Sequence, residues 1–230
     1  MLFHITPDRD GRYYTDMEPD IYRRKLPHIQ PLFGTFFVTY RLYNSLPVSI
    51  RQQLREEYTF EKIRLAKSDE YSIKVADELN RHYFGRFDAL LDLCAYCPAY
   101  LADEEVTKVV ADSLHFWDSQ RIDLIAYTIM SNHVHTVFTL LGEETEIGKT
   151  NSLKRLMHSV KSYSAHKANA LLNLRGKFWE EESYDRLVRD TDELRRIVRY
   201  IVMNPVKAGL CKDWKNWTWS YVKPEYDEFS

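Results

Sequence analysis

The stretch Arg121-Ile-Asp-Leu-Ile-Ala-Tyr-Thr-Ile-Met130, followed by Ser131-Asn132 and His133-Val-His-Thr-Val-Phe-Thr-Leu-Leu141, decides the fold. Its first ten residues are mostly apolar and rich in β-branched side chains, Ser131-Asn132 reads as a tight turn, and the remainder returns as the second strand of a hairpin. Upstream, Phe33 to Leu42 is a further aromatic and β-branched strand, closed by a turn around Asn44 to Pro47. Between these strands the apolar spacing predicts three helices. The first runs from Val48 to about Lys67 on Ile50, Leu54, Tyr58 and Ile63, and the second covers residues 70 to 93. The third, Asp103 to Trp117, carries Val106, Val109, Val110, Leu114 and Trp117 in phase behind the acids Asp103, Glu104 and Glu105.

Downstream, Asn151 to Leu172 reads as an amphipathic helix with Leu153, Leu156, Met157, Val160, Ala168 and Leu171 on one stripe. Phe178 to Val188 holds room for a short edge strand. Asp190 with Glu193 makes a capping box for a helix that is expected to end at Asn204, because Pro205 disfavours helix in the residue before it. Residues 1 to 32 are polar and turn-rich and read as an arm.

The chain has 230 residues, 44% of them apolar and 14% aromatic, with 34 acidic against 32 basic side chains, so it can bury a core. Seven glycines and eight prolines without a biased tract exclude a fibrous or low-complexity protein. No run approaches the roughly 20 apolar residues that cross a bilayer, and no secretory leader stands at the start. The expected place is therefore the cytoplasm, without a membrane partner. Three cysteines do not all pair, so reduced thiols are expected, and Cys94-x-x-Cys97 without a second pair falls short of a four-ligand zinc site.

Charge is unevenly distributed. Residues 1 to 148 hold 16 basic and 23 acidic side chains, whereas residues 149 to 215 hold 15 and 8, a local excess of seven positive charges. This segment, with Lys154, Arg155, Lys161, Lys167, Arg196 and Lys207 among its cations, has the makings of a phosphate-neutralising face.

His133 and His135 alternate with Val134 on a strand, so both imidazoles project from one face about 7 Å apart at the backbone and are able to converge on one cation. An H-x-H needs a third ligand and a nucleophile to mean more than packing. The helix ending at Asn204 offers both: Leu194, Ile197, Val198, Ile201 and Val202 form its apolar stripe, and Tyr200 and Asn204 lie one turn apart along its edge. If the helix crosses the histidine face, Asn204 completes a metal shell and Tyr200 holds its hydroxyl beside the ion. Tyr163 and Tyr184 are rival nucleophiles, but four residues beyond them stand Lys167 and Val188, neither a plausible ligand.

Two segments, Tyr-Thr-Ile-Met-Ser-Asn-His-Val-His at 127 to 135 and Tyr-Ile-Val-Met-Asn-Pro-Val-Lys-Ala-Gly-Leu at 200 to 210, resemble the signatures of REP-associated tyrosine transposases, a branch of the single-tyrosine HUH transposases. Further resemblance lies in Arg-Lys-Leu-Pro-His-Ile-Gln at 24 to 30, Phe-Phe-Val-Thr-Tyr-Arg-Leu at 36 to 42 and Gly-Lys-Phe-Trp-Glu-Glu-Glu-Ser-Tyr-Asp-Arg at 176 to 186. The resemblance implies an α+β fold: a ferredoxin-like antiparallel sheet with helices on one face, a helical insertion at about 60 to 117 and a C-terminal catalytic helix, in a single domain. It implies cleavage and rejoining of single-stranded DNA beside a hairpin, with Mg²⁺ or Mn²⁺ held by His133, His135 and Asn204. Tyr200 would attack to leave a 5′-phosphotyrosine and a free 3′-hydroxyl. A monomer or homodimer associated with the nucleoid would follow.

The sequence departs from the family at Ser131, where proline is usual, and at Glu180, where glutamine is common. The second alternative is a domesticated binder of hairpin DNA that no longer cuts. A metal-dependent oxidoreductase on the H-x-H is a weaker third, opposed by the few strands and long helices. The tryptophans Trp214, Trp217 and Trp219 with Tyr221 are expected to pin the terminal segment rather than to stack on bases.

Overall fold

The computed structural model describes residues 20–23, 27–30, 34–68, 72–93, 97–141 and 153–230. Two short strands, β1 (Asp20–Arg23) and β2 (Pro27–Gln30), pair antiparallel within the expected arm; its other residues lie outside the described ones. The main sheet is antiparallel with five strands in the order β6-β3-β5-β4-β7. They are β3 (Gly34–Arg41), β4 (Ile122–Ile129), β5 (His133–Leu140), β6 (Tyr184–Leu187) and β7 (Ser220–Val222). Helices α1 (Val48–Ala66), α2 (Ile73–Asp92) and α3 (Glu104–His115) join β3 to β4, and α4 (Leu153–Leu171) joins β5 to β6. Helix α5 (Thr191–Lys207) follows β6. Without β7, the order of first, second, third and fourth strands is 4-1-3-2, the ferredoxin-like α+β arrangement.

Alternation along the central strands fills two cores. Phe36, Val38 and Tyr40 of β3 with Val134, Phe138 and Leu140 of β5 face α3 and α4, which contribute Val106, Val110, Leu114, Leu156 and Val160. Phe37, Val137, Ile125 and Ala126 face the opposite way and meet Ile197, Val198 and Ile201 of α5 with Phe84 of α2. The expectation of helices on one face thus describes α3 and α4; α5 and α2 cover the second face because the strands are apolar on both. Consecutive Ile125 and Ala126 share a face through a register shift in β4 opposite β5, a bulge that nothing in the strand's pattern announced.

The stretch 60 to 117 divides by role. Helices α1 and α2 form an antiparallel excursion, whereas α3 is a core crossover helix, entered through Asp103, whose carboxylate accepts from the backbone N–H groups of Glu105 and Val106. Asp190 caps α5 on the Glu193 N–H at 2.6 Å, while the Glu193 carboxylate reaches back to the Arg189 N–H at 2.9 Å. Replacing Asp190 by alanine is expected to cost about 1 kcal/mol of stability, read as a lower urea midpoint at unchanged slope.

Helix α5 does not stop at Asn204 but runs to Lys207 with Pro205 inside it. In the last turn Pro205 forfeits a single hydrogen bond, and the end closes through Ala208 N–H on the Asn204 carbonyl and Leu210 N–H on the Pro205 carbonyl. The terminal segment does more than pack. It adds β7 to the edge of β4, with Tyr221 stacked on Tyr127 and the Trp217 indole N–H donated to the Ile129 carbonyl.

Cys97 is disulfide-bonded, against the expectation of reduced thiols, and Cys211 is a free thiol; Cys94 lies outside the described residues. Among the described residues no helix is long and apolar enough to cross a membrane.

Candidate active site

The pleat of β5 sends His133 and His135 to the α5 face, beside Val137. There the rings converge until their Nε2 atoms are 3.0 Å apart. Two neighbours orient them. Asn132 donates through Nδ2 to the Leu91 carbonyl, so its Oδ1 accepts from His133 Nδ1–H at 2.6 Å. Thr39 of β3, directly opposite His135, meets Nδ1 at 2.7 Å. Asn204 Nδ2 lies 3.1 Å from His135 Nε2, and both rings turn Nε2 inward.

Helix α5 lays its apolar stripe on Ile125, Ala126 and Val137, which aims its edge residues at the histidines. The Tyr200 ring stands 5.5 Å from that of His135, and Asn204 is buried beneath it. All the residues singled out on spacing, His133, His135, Tyr200 and Asn204, therefore meet within one chain.

Sequence reasoning missed the residue at their centre. Asp88 of α2 accepts hydrogen bonds at Oδ2 from the Tyr200 hydroxyl and from Asn204 Nδ2, the latter at 3.3 Å. Its Oδ1 lies 3.2 Å from His135 Nε2 and 3.8 Å from His133 Nε2. The signal was present in outline: Asp88 shares a helix face with the buried Phe84 and Leu91, where an aspartate is rarely tolerated without partners. No local motif ties it to a hairpin 45 residues later. Asn132, read as a turn residue, is the other omission.

Burial opposes charge on Asp88, but the His135 and His133 imidazoles and the Tyr200 hydroxyl outweigh it and hold its carboxyl far below the usual range. Burial, followed by the Asp88 charge, pushes the Tyr200 phenol well up, so it stays protonated. Burial and the neighbouring His135 push His133 down to about 3, leaving it neutral with a lone pair to offer. Asp92, one turn beyond Asp88, is pushed up to about 6 by burial and by that carboxylate.

Asp88, His133 and His135 bring one ligand atom each within 4.8 Å of one another, a group of the kind that holds a divalent metal. The surroundings fit a cation. The Asn204 Oδ1 and Asp88 Oδ1 atoms are buried without a hydrogen-bond donor, and two imidazole Nε2 atoms face each other across 3.0 Å. Mixed nitrogen and oxygen donors suit Mg²⁺ poorly as a closed cage but suit Mn²⁺ and metal-assisted phosphate chemistry well.

The predicted basic residues are dispersed. Lys207 holds its Nζ 4.5 Å above the Tyr200 ring, at the site, and Arg196 is exposed on α5. Lys154, Arg155 and Lys167 are exposed on α4, across the sheet from the histidines, and Lys161 donates to the Glu180 and Glu181 carbonyls. Tyr163, about half exposed, also rides on α4, and Tyr184 stacks on Phe84 at 4.1 Å. Glu180 is neutralised by Arg41 at 3.4 Å and Arg51 at 3.3 Å.

Residues 96–204 match the family model described as transposase IS200 like. A solved structure of a REP-associated tyrosine transposase bound to a REP hairpin is similar at 18% identity and a TM-score of 0.42, covering 81% of this chain and 75% of that one. No curated protein matches the chain. The matched span, just under half of the chain, contains both histidines, the tyrosine and the asparagine that the fold gathers at one point, and over that span the chain is similar to the IS200-like transposases.

Proposed function

We propose that this protein is a metal-dependent transposase that cleaves and rejoins single-stranded DNA next to hairpins through a 5′-phosphotyrosine intermediate on Tyr200. The observation that carries the reading is that the Tyr200 hydroxyl and the two converging imidazoles share one carboxylate, Asp88, so a nucleophile and a metal-ligand pair flank the same few ångströms of space.

His133 and His135 would hold the ion, with Asn204 Oδ1 and an anionic oxygen completing the shell. Mg²⁺ or Mn²⁺ bound there supplies Lewis-acid polarisation of the scissile phosphate and offsets its developing charge. Tyr200 Oη attacks phosphorus, forming the tyrosyl O–P bond as the P–O3′ bond breaks. The phenolic proton passes to water once the phosphate has taken the place of the Asp88 carboxylate, and the departing O3′ takes up a proton to become a free hydroxyl. Attack by another 3′-hydroxyl reverses the step and joins strands, with the phosphodiester energy conserved in the tyrosyl ester. Lys207, beside the Tyr200 ring, would meet the phosphate; Arg196 and the α4 residues Lys154, Arg155, Lys161 and Lys167 would take backbone phosphates farther from the cut. Because ligands and nucleophile come from one chain, a monomer carries the whole site and a homodimer needs no exchange of helices. Acting on DNA, the protein would work in the cytoplasm, at the nucleoid.

The test incubates the full chain and Mn²⁺ with a hairpin-flanked single strand labelled at its 3′ end. A labelled protein adduct surviving denaturation, with a matching free 3′-hydroxyl fragment, is expected. Tight hairpin binding with no adduct at any metal concentration would replace this reading by a non-cutting DNA binder.

A further inference from the structure

We propose that Arg186 and Arg189 form a second binding site, for a backbone phosphate of the DNA strand, and that helix α2 covers this site and the catalytic one together as an acidic stand-in for that strand. The inference rests on the reading of the protein as a DNA-cleaving enzyme and adds to it the track of the strand and the element that blocks it.

The catalytic groups are closed off as they stand. His133 and His135 are 0% exposed and Asn204 1%. What covers them is α2, and the Asp88 carboxylate lies where a scissile phosphate must come: hydrogen-bonded to the Tyr200 hydroxyl on one oxygen, facing both imidazole Nε2 atoms with the other. A phosphate in reach of the nucleophile has no room until that carboxylate withdraws.

The same helix repeats the arrangement three turns away. Asp77, eleven residues before Asp88 and so about 16 Å along the axis, is gripped by two guanidiniums. Arg186 Nη1 and Nη2 meet its two oxygens at 2.7 and 2.9 Å, and Arg189 Nη2 and Nη1 meet them at 2.9 and 3.2 Å. Two planar forks closing on one small oxyanion is the geometry that also recognises phosphate. Arg186 is held ready by its Nε, which donates to Glu193 Oε1 at 2.7 Å.

Between the two carboxylates α2 presents an aromatic ring. Phe84 stacks on Tyr184 at 4.1 Å and stands edge-on to Phe37 at 5.6 Å, as an unpaired base would on an aromatic platform. The partners share one sheet face. Arg186 pairs with Phe37 and Tyr184 with Thr39, which pairs with His135, so the Arg186 Cα lies about 7 Å along and about 10 Å across the sheet from that of His135. Carboxylate, ring and carboxylate on α2 thus meet nucleophile, aromatic platform and guanidinium pair on the body of the protein. Helix α2 lies outside the matched span of residues 96–204, and the groups it covers at the catalytic end lie inside it.

Asp77→Asn weakens the grip on α2 and keeps its volume. It is expected to raise both affinity for the hairpin-flanked single strand and the initial rate of adduct formation about tenfold, the loss of one charge-assisted contact. Amide hydrogen exchange should speed up in α2 and not in α3. Arg189→Gln, at a side chain half exposed to solvent, is expected to lower DNA affinity and to reduce the slope of log affinity against log salt by about 0.7, one phosphate's share on a single strand. Arg189→Lys should recover part of that slope. Unchanged affinity and adduct rate in Asp77→Asn, or an unchanged salt slope in Arg189→Gln, would overturn the proposal and leave Asp77–Arg186–Arg189 as a structural ion pair. A wild-type chain that neither binds nor cuts the strand overturns the functional reading itself, so the two failures are separable.

Discussion

Tyr200→Phe removes one oxygen atom and is expected to abolish the covalent protein–DNA adduct, lowering strand cleavage by at least about 10³-fold. The substitution should spare the fold. The ring keeps its edge-on contact with Phe37 at 6.0 Å and its place beside His135, and the lost donor has one acceptor, Asp88. Hairpin affinity should therefore persist, which separates chemistry from binding. Tyr163→Phe serves as the control, because Tyr163 sits on α4 across the sheet from the imidazoles, and should form adduct at the wild-type rate. The readout is the 3′-end-labelled strand that stays with the protein on a denaturing gel. An adduct of undiminished yield in Tyr200→Phe would move the nucleophile elsewhere and end the mechanism given above.

His135→Ala carries the second large effect: loss of at least about 100-fold in Mn²⁺ affinity and of all metal-dependent cleavage. His135 is the hub of the site, with Nδ1 on Thr39 and Nε2 facing His133, Asn204 and Asp88. Metal binding is measured without DNA as a rise in melting temperature. In the wild type an excess of 100 Kd should add about 2.7 kcal/mol of stability, and in His135→Ala the rise should vanish. Thr39→Val, which keeps the shape and removes the oxygen that orients the ring, should weaken Mn²⁺ about 10- to 100-fold. Chelation should stop cleavage in the wild type and leave hairpin binding, which depends on backbone charge. An equal melting-point rise in wild type and His135→Ala would place the metal elsewhere.

Both predictions use residues that local pattern exposed, and the reason is periodicity. Alternation in β5 put His133 and His135 on one face, and a spacing of four in α5 put Tyr200 and Asn204 on one edge; each relation is fixed by backbone geometry within a single element. Helix starts at Asp103 and Asp190 were legible for the same reason, since a cap is a contact across three residues. Asp88 was not. Its partners stand 45 and 47 residues away at His133 and His135 and 112 and 116 away at Tyr200 and Asn204, and no spacing rule links a helix of the excursion to them. The strand at β7 escaped because three residues after a run of tryptophans show no alternation, and the sheet edge that pairs with them belongs to another part of the chain. Pro205 misled because its local cost was read as a stop, whereas in the last turn that cost is one bond.

The amino-acid sequence by itself determined the central strands and the helices, and that two imidazoles, a phenol and an amide are presented in pairs, because those are short-range consequences of side-chain size, polarity and backbone period. Only the tertiary structure decided that the pairs meet, that Asp88 is the group they meet on, and that α2 closes over them. Those facts depend on how the two apolar faces of the sheet are shared among four helices, a packing outcome that arises when distant segments compete for the same buried surface.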